Sequence, residues 1–304
     1  MKIVSLLPSA TEIVFALGLG DRLEGVTYEC DFPSEARSKP VVSDTALPQD
    51  RPLSAEEIDK LVGELMDHHE PIYVLDKELI GKIQPDLILA QDLCRVCAVP
   101  SGQVEDALAE LGCTSQVLSL DPNTIEEILD CIVAVGRATG TEATAGDLVD
   151  HLRARIEAVR TKALRLPSIG TLCLEWSDPP FVAGHWMPGM VEMSGGTNLL
   201  AAPREPSRRV TWREVADAAP EVIVFMPCGY YLEDAETEAG RLFGQLEFAG
   251  TPAARGGTVF AVDASSYFSR PGPRIVDGLE TLAWAIHPEA FPQPAADRVV
   301  RVGH

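Results

Sequence analysis

Twice in this 304-residue chain a helical stretch is cut by a proline followed by an acidic residue, and four apolar residues follow at once. The first instance is Leu75-Asp-Lys-Glu-Leu-Ile-Gly-Lys-Ile83, then Gln84-Pro85-Asp86, then Leu87-Ile-Leu-Ala90; the second is Thr211-Trp-Arg-Glu-Val-Ala-Asp-Ala-Ala219, then Pro220-Glu221, then Val222-Ile-Val-Phe225. Proline has no N–H to donate and crowds the turn before it, so the helix ends there. An unbroken apolar run of four then reads as a strand covered on both faces, the situation of a parallel sheet. One plan used twice, with strands and helices alternating on each side, predicts two similar α/β lobes.

The first residues open the same way. Residues 3–7 form a short strand pattern, Pro8 follows, and Ser9-Ala-Thr-Glu12 fits a capping box ahead of the apolar residues 13–17. Between the lobes, residues 142–166 carry Leu148, Leu152, Ile156, Val159 and Leu164 at helical spacing, with no glycine after Gly146 and no proline before Pro167. This predicts a long rigid helix bridging the lobes where a flexible linker would show glycine and serine. The expected organisation is an N-terminal lobe over 1–140, a bridging helix over 141–166 and a C-terminal lobe over 167–304, with a ligand cleft between the lobes.

Charge narrows the partners. Lysine and arginine number 25 against 46 aspartates and glutamates, a formal net charge of −21, and such a surface repels nucleic acid and anionic lipid. Residues 2–9, Lys2-Ile-Val-Ser-Leu-Leu-Pro-Ser9, open as strand and turn and lack the pattern of a secretory signal. Seven cysteines, an odd number, fall short of a disulfide scaffold and suit a reducing compartment. On these grounds the expected location is cytoplasmic.

Side chains that bind large flat ligands gather next to predicted strand ends: Glu175-Trp176, His185-Trp186-Met187 and Cys228-Gly-Tyr230-Tyr231. In α/β lobes ligands bind at such loops, and aromatic faces bury much area at little cost in conformational entropy. Taken singly, Trp176 or Trp186 suits a packed core equally well. Cys94 and Cys97, with Arg95 between them, form a CxxC after residues 87–90, and Cys30 and Cys228 occupy other strand-end loops. Thiolates ligate soft metals or act as a redox pair, but a single CxxC is a weak motif and suits an inert pair as well. Cys94, Cys97 and the His185 imidazole are the metal-ligand candidates. Asp67-His68-His69-Glu70 reads as a solvated helix end, because adjacent histidines on a helix point apart. The glycines of residues 194–198 lack the lysine and spacing of a phosphate loop, and no dinucleotide fingerprint or nucleophile elbow is present. No nucleotide and no catalytic group are therefore expected.

Four passages jointly resemble the class III solute-binding proteins of ABC transporters, and within them the vitamin B12-binding branch. They are Ser5-Leu-Leu-Pro-Ser-Ala-Thr-Glu12, Gly25-Val-Thr-Tyr-Glu-Cys-Asp-Phe-Pro33, Pro179-Pro-Phe-Val-Ala-Gly184 leading to Ser194-Gly-Gly-Thr-Asn198, and Tyr267-Phe-Ser-Arg270 leading to Pro273-Arg274. The resemblance runs over nearly the whole chain. It implies a binding protein, not an enzyme, for cobalamin or a related corrinoid or siderophore-like chelate. By the same resemblance Ser266, Tyr267, Phe268 and Arg270 lie over the ligand, and the first-lobe ligand tyrosine falls at Tyr28 or Glu29, beside Cys30. Relatives of this kind dock on a membrane permease through one acidic residue per lobe, which here corresponds to Glu105 and to Arg213 or Glu214. Three readings follow, in this order: an intracellular cobalamin-binding protein for storage, delivery or sensing; an exported transporter subunit for an iron siderophore or haem; and a thiol-dependent enzyme acting on a metal complex.

Overall fold

A computed structural model describes residues 1–68, 70–93, 99–111 and 113–303. The chain folds into two compact units, residues 1–122 with 126–150, and residues 123–125 with 151–304.

In chain order the first unit holds β1 (Ile3–Ser5), α1 (Pro8–Ala16), β2 (Leu23–Thr27), β3 (Val41–Thr45), α2 (Ala55–Asp67), β4 (Tyr73–Leu75), α3 (Lys77–Ile83), β5 (Leu87–Ala90), α4 (Ser101–Leu111) and β6 (Gln116–Ser119). Helices α5 (Ile125–Thr139) and α6 (Glu142–Ala163) follow. The sheet order is β4-β3-β2-β1-β5-β6, parallel except for β4. Val4, Ile88 and Ala90 of the central strands pack with Val42, Ile80, Val104 and Leu108, all buried, so the unbroken apolar run of β5 is covered on both faces as expected.

The second unit holds β7 (Ile169–Ser177), β8 (Pro180–Val182), α7 (Met187–Met193), β9 (Gly196–Asn198), β10 (Arg208–Arg209), α8 (Trp212–Asp217), β11 (Val222–Phe225), α9 (Leu232–Leu242), α10 (Leu246–Ala249), α11 (Pro252–Gly256), β12 (Val259–Val262), α12 (Ala264–Tyr267), α13 (Ile275–Ile286) and β13 (Val299–Val302). Its sheet runs β10-β8-β7-β11-β12-β13, with β9 beside β7. Strands β7, β11 and β12 are parallel and form its centre. Leu172, Leu174, Ile223, Phe225 and Phe248 build the core there.

Three sequence expectations shift. Helix α1 begins at Pro8, its N-cap is Leu7 without a side-chain hydrogen bond, and Ser9, Thr11 and Glu12 lie buried within the helix, so no capping box forms there. Proline at the first helical position needs no N–H partner and sets the start two residues earlier. Leu75 belongs to β4, paired with Ser43, and Asp76 caps α3 through the Leu79 N–H at 2.8 Å. Helix α6 ends at Ala163, which is buried, and leaves Leu164 76% exposed. A capping box forms instead at Thr211, where the sequence reading placed none: Glu214 N–H donates to Thr211 Oγ1 at 3.2 Å and Thr211 N–H to the Glu214 carboxylate at 2.7 Å. His68 is the exposed C-cap of α2, whereas His69 lies outside the described residues. Among the described residues no helix is long and apolar enough to cross a membrane.

Candidate ligand site

In a parallel sheet, loops leaving the carboxyl ends of two strands diverge where the strand order reverses, and ligands settle in the crevice they leave. In the second unit the chain passes from β7 outward to β8, then returns to β11 on the other side of β7. Glu175 and Trp176 lie in the last residues of β7, and Cys228-Gly-Tyr230 in the loop after β11. The β7–β11 pairing continues beyond the end of β11 through Met226 N–H to Leu174 O at 2.8 Å and Cys228 N–H to Glu175 O at 3.3 Å. The loop after β11 therefore stays beside the end of β7, and the Trp176 and Tyr230 rings meet edge to face, 5.7 Å between centroids. Both are only partly buried. Burial, followed by the Glu238 carboxylate, raises the Tyr230 phenol above its ordinary value. Glu238 is itself fixed by Ser177 Oγ at 2.6 Å and by Arg241 at 2.9 Å. Tyr231, exposed, is the N-cap of α9, and Cys228 is exposed beside it.

The β12 end joins the same edge. Ser265 N–H donates to Tyr230 O at 3.1 Å, and Asp263 caps the short α12 through the Ser266 N–H at 2.8 Å. That cap holds Tyr267 at the helix end, half-buried, with Arg298 4.9 Å and Arg274 5.5 Å from its ring centroid. Burial raises the Tyr267 phenol above its usual range, and Arg298 opposes the shift.

Other predicted residues turn inward. Trp186, Met187, Phe268, Ser266 and Arg270 are all buried, and Trp186 Nε1 donates to Phe268 O at 3.0 Å. The Trp186 bond ties its ring to the residue directly after Tyr267. His185, partly buried at φ 52, lies with its Nδ1 3.1 Å from Asn123 Oδ1 and its ring 5.8 Å from that of Trp186. Burial lowers its pKa below the ordinary 6.5.

In the first unit, Tyr28 stands at the carboxyl end of β2, 37% exposed, its N–H bonded to Ser43 O at 3.0 Å. Burial, then the Glu29 carboxylate, pushes its phenol well above the usual range. It lines an open hollow of about 460 Å³ with Thr45, Leu47, Pro48, Asp50 and Arg51, within the volume range of small-molecule sites. Arg51 pairs with Glu57 at 2.6 Å and holds that carboxyl down to about 2. Cys30 is buried behind Tyr28, its Sγ 3.1 Å from Thr11 Oγ1.

Cys94, Arg95 and Cys97 lie outside the described residues. Among the described residues no group of three histidine, cysteine or acidic side chains could hold a metal ion. The Cys131 and Cys173 thiols are pushed up to about 12, chiefly by burial, which leaves them protonated and unreactive at neutral pH. Sequence reasoning missed Arg298, Asp263, Thr45 and Asn123. Only Asp263 carried a readable signal, an N-cap aspartate directly before Ala264-Ser-Ser.

The periplasmic binding protein profile matches residues 3–265, and the chain belongs to that family. Members are solute-binding proteins, and that class is what the fold and the profile define here. A Bacillus subtilis protein described as an uncharacterised ABC transporter substrate-binding lipoprotein is 26% identical over 299 residues, spanning 95% of this chain and 81% of its own length. The vitamin B12-binding protein of Vibrio cholerae is 26% identical over 285 residues, 92% of this chain and 86% of that protein. The crystal structure of a periplasmic vitamin B12-binding protein of Vibrio cholerae superposes at a TM-score of 0.70, with 24% identity, over 94% of this chain and 96% of the other. A periplasmic haem-binding protein from Pseudomonas aeruginosa reaches 0.71 with 22% identity over 99% of both chains. These likenesses establish the two-lobed α/β fold. The cytoplasmic placement expected from the opening residues and the cysteines is overturned, because the family and these relatives are periplasmic or lipoprotein binding proteins.

Proposed function

We propose that this chain captures cobalamin, or a closely related corrinoid or metal chelate, outside the cytoplasm and does not transform it. Trp176, Tyr230, Tyr231 and Tyr267 of the second unit are the ligand contacts. The observation that carries this reading is the partly exposed Trp176–Tyr230 pair at the strand-order reversal, in a chain that vitamin B12-binding relatives match over 92% of its length. Exposed ring faces at that edge suit a broad, largely uncharged macrocycle, whereas a phosphate or sugar would call for convergent charged or hydroxyl groups.

Delivery to an ABC permease is part of the same proposal. Glu105, exposed on α4, serves as one docking charge. Glu214 is the other, although its carboxylate already closes the Thr211 cap and pairs with Arg208 at 3.2 Å. The Thr211 N–H, its hydroxyl and then Arg208 hold that carboxyl below the usual range, so it stays ionised for a basic partner surface.

The test is titration of the purified full chain with cyanocobalamin, haemin and a ferric siderophore, following visible absorbance and heat. Saturable one-to-one binding of cyanocobalamin, weakened by Trp176→Ala, is expected. Saturation by haemin or the siderophore alone replaces the ligand assignment, and binding of none of the three removes the chelate reading.

A further inference from the structure

The first turn of α13 carries Asp277, and its Oδ1 accepts from two guanidinium groups at once: Arg155 Nη2 at 2.9 Å and Arg298 Nη1 at 3.1 Å. Arg155 comes from α6, and Glu280 of α13 also binds it through two bonds of 3.0 and 2.7 Å. Arg298 precedes β13, and its carbonyl accepts from the N–H of Asp263, the residue that caps α12. Its guanidinium then lies over the Tyr267 ring. Asp277, Arg155 and Arg298 are only 20%, 27% and 25% exposed at the side chain, so water screens these contacts less than it would on an open surface.

We infer that Asp277 is a positioning residue for Tyr267, acting through Arg298. A guanidinium plane lying over a phenol ring fixes the ring's tilt only while the guanidinium is itself fixed. Arg298 has that second anchor in Asp277, and Asp277 has its own in Arg155. The next residue supplies the backbone half of the arrangement: a Cβ at Gly278 would run into the Tyr267 carbonyl oxygen, so α13 and α12 meet there backbone to backbone. Two neighbouring residues of one helix thus set where the Tyr267 backbone sits and which way its ring faces. The inference rests on the reading of Tyr267 as a ligand contact, and its test separates the two.

The full chain is labelled with 13C-tyrosine and the Tyr267 ring signal assigned by its loss in Tyr267→Phe. Asp277→Asn and Arg298→Gln are each expected to move that signal in the absence of ligand and to weaken cyanocobalamin binding about tenfold, as for couplings through one intervening side chain. Glu280→Gln, which loosens Arg155 but leaves Asp277 and Arg298 in contact, is expected to lower the melting temperature while leaving the ring signal and the affinity unchanged. Arg298→Gln keeps the Arg155–Asp277–Glu280 cluster, so it reports even if Asp277→Asn folds poorly. An unmoved Tyr267 signal in Arg298→Gln overturns the inference, as does a Glu280→Gln protein that matches Asp277→Asn in signal and affinity, or a moved signal with unchanged affinity. A moved signal in a chain whose parent binds no cyanocobalamin leaves the positioning of the ring standing, ends its role toward cobalamin, and refutes the cobalamin reading separately.

Discussion

Trp176 and Trp186 stand ten positions apart beside predicted strand ends, yet their rings serve opposite ends. Trp186 is 8% exposed and its Nε1–H is bonded to Phe268 O, whereas Trp176 keeps a partly open face against Tyr230. Trp186→Phe removes the donor and leaves a buried carbonyl without that partner, a change that costs about 1–3 kcal/mol, readable by chemical denaturation. Trp176→Ala should instead leave the denaturation midpoint within a small margin and weaken ligand uptake. His185 supplies a pH dependence. Its folded pKa lies below the ordinary 6.5 because burial disfavours the cation, so below that value the unfolded chain takes up a proton that the folded chain resists. Stability from this residue is complete above pH 6.5 and is lost as pH falls through the lower folded value. Melting temperatures between pH 7.5 and 5 should therefore drop more in the parent than in His185→Asn, whose side chain tolerates the positive φ. At this scale the strand-end aromatics were legible because they directly follow apolar runs. Which of them faces outward was not, since the Trp186 partner, Phe268, is 82 residues away.

At the scale of elements, local chemistry decides the ends and tertiary pairing overrides it where the two conflict. Thr211 and Glu214 close a full capping box in α8, a six-residue helix with little else to hold its first turn, so Thr211→Ala should cost about 1 kcal/mol in the same denaturation assay. Arg208, paired with Glu214, loses an ordered partner in that variant as well. The same reasoning placed a capping box at Ser9, where Pro8 had already started the helix, and it assigned Leu75 to a helix although β3 recruits it as a strand. Neighbouring residues announce a cap, but the partner across a sheet lies some thirty positions away and leaves no trace in the local pattern. The Arg155–Asp277–Arg298 link is of that second kind, joining residues 122 and 21 positions apart.

At the scale of the whole molecule, the repeated helix-proline-strand phrase and the four family passages made the two α/β sheets and the binding-protein class readable from the sequence. Location was misread because the opening residues and odd cysteine count speak only to the segment in hand, whereas the match over residues 3–265 speaks to the family. The proposed ligand assignment rests on the partly exposed rings of Trp176, Tyr230 and Tyr267 in the second unit, and calorimetry with cyanocobalamin tests it most directly. The parent chain should bind one equivalent with a negative heat-capacity change from buried apolar surface, and Trp176→Ala should bind at least tenfold more weakly, about 1.4 kcal/mol. Heats no larger than dilution for the parent, or equal affinities for parent and variant, would contradict the account.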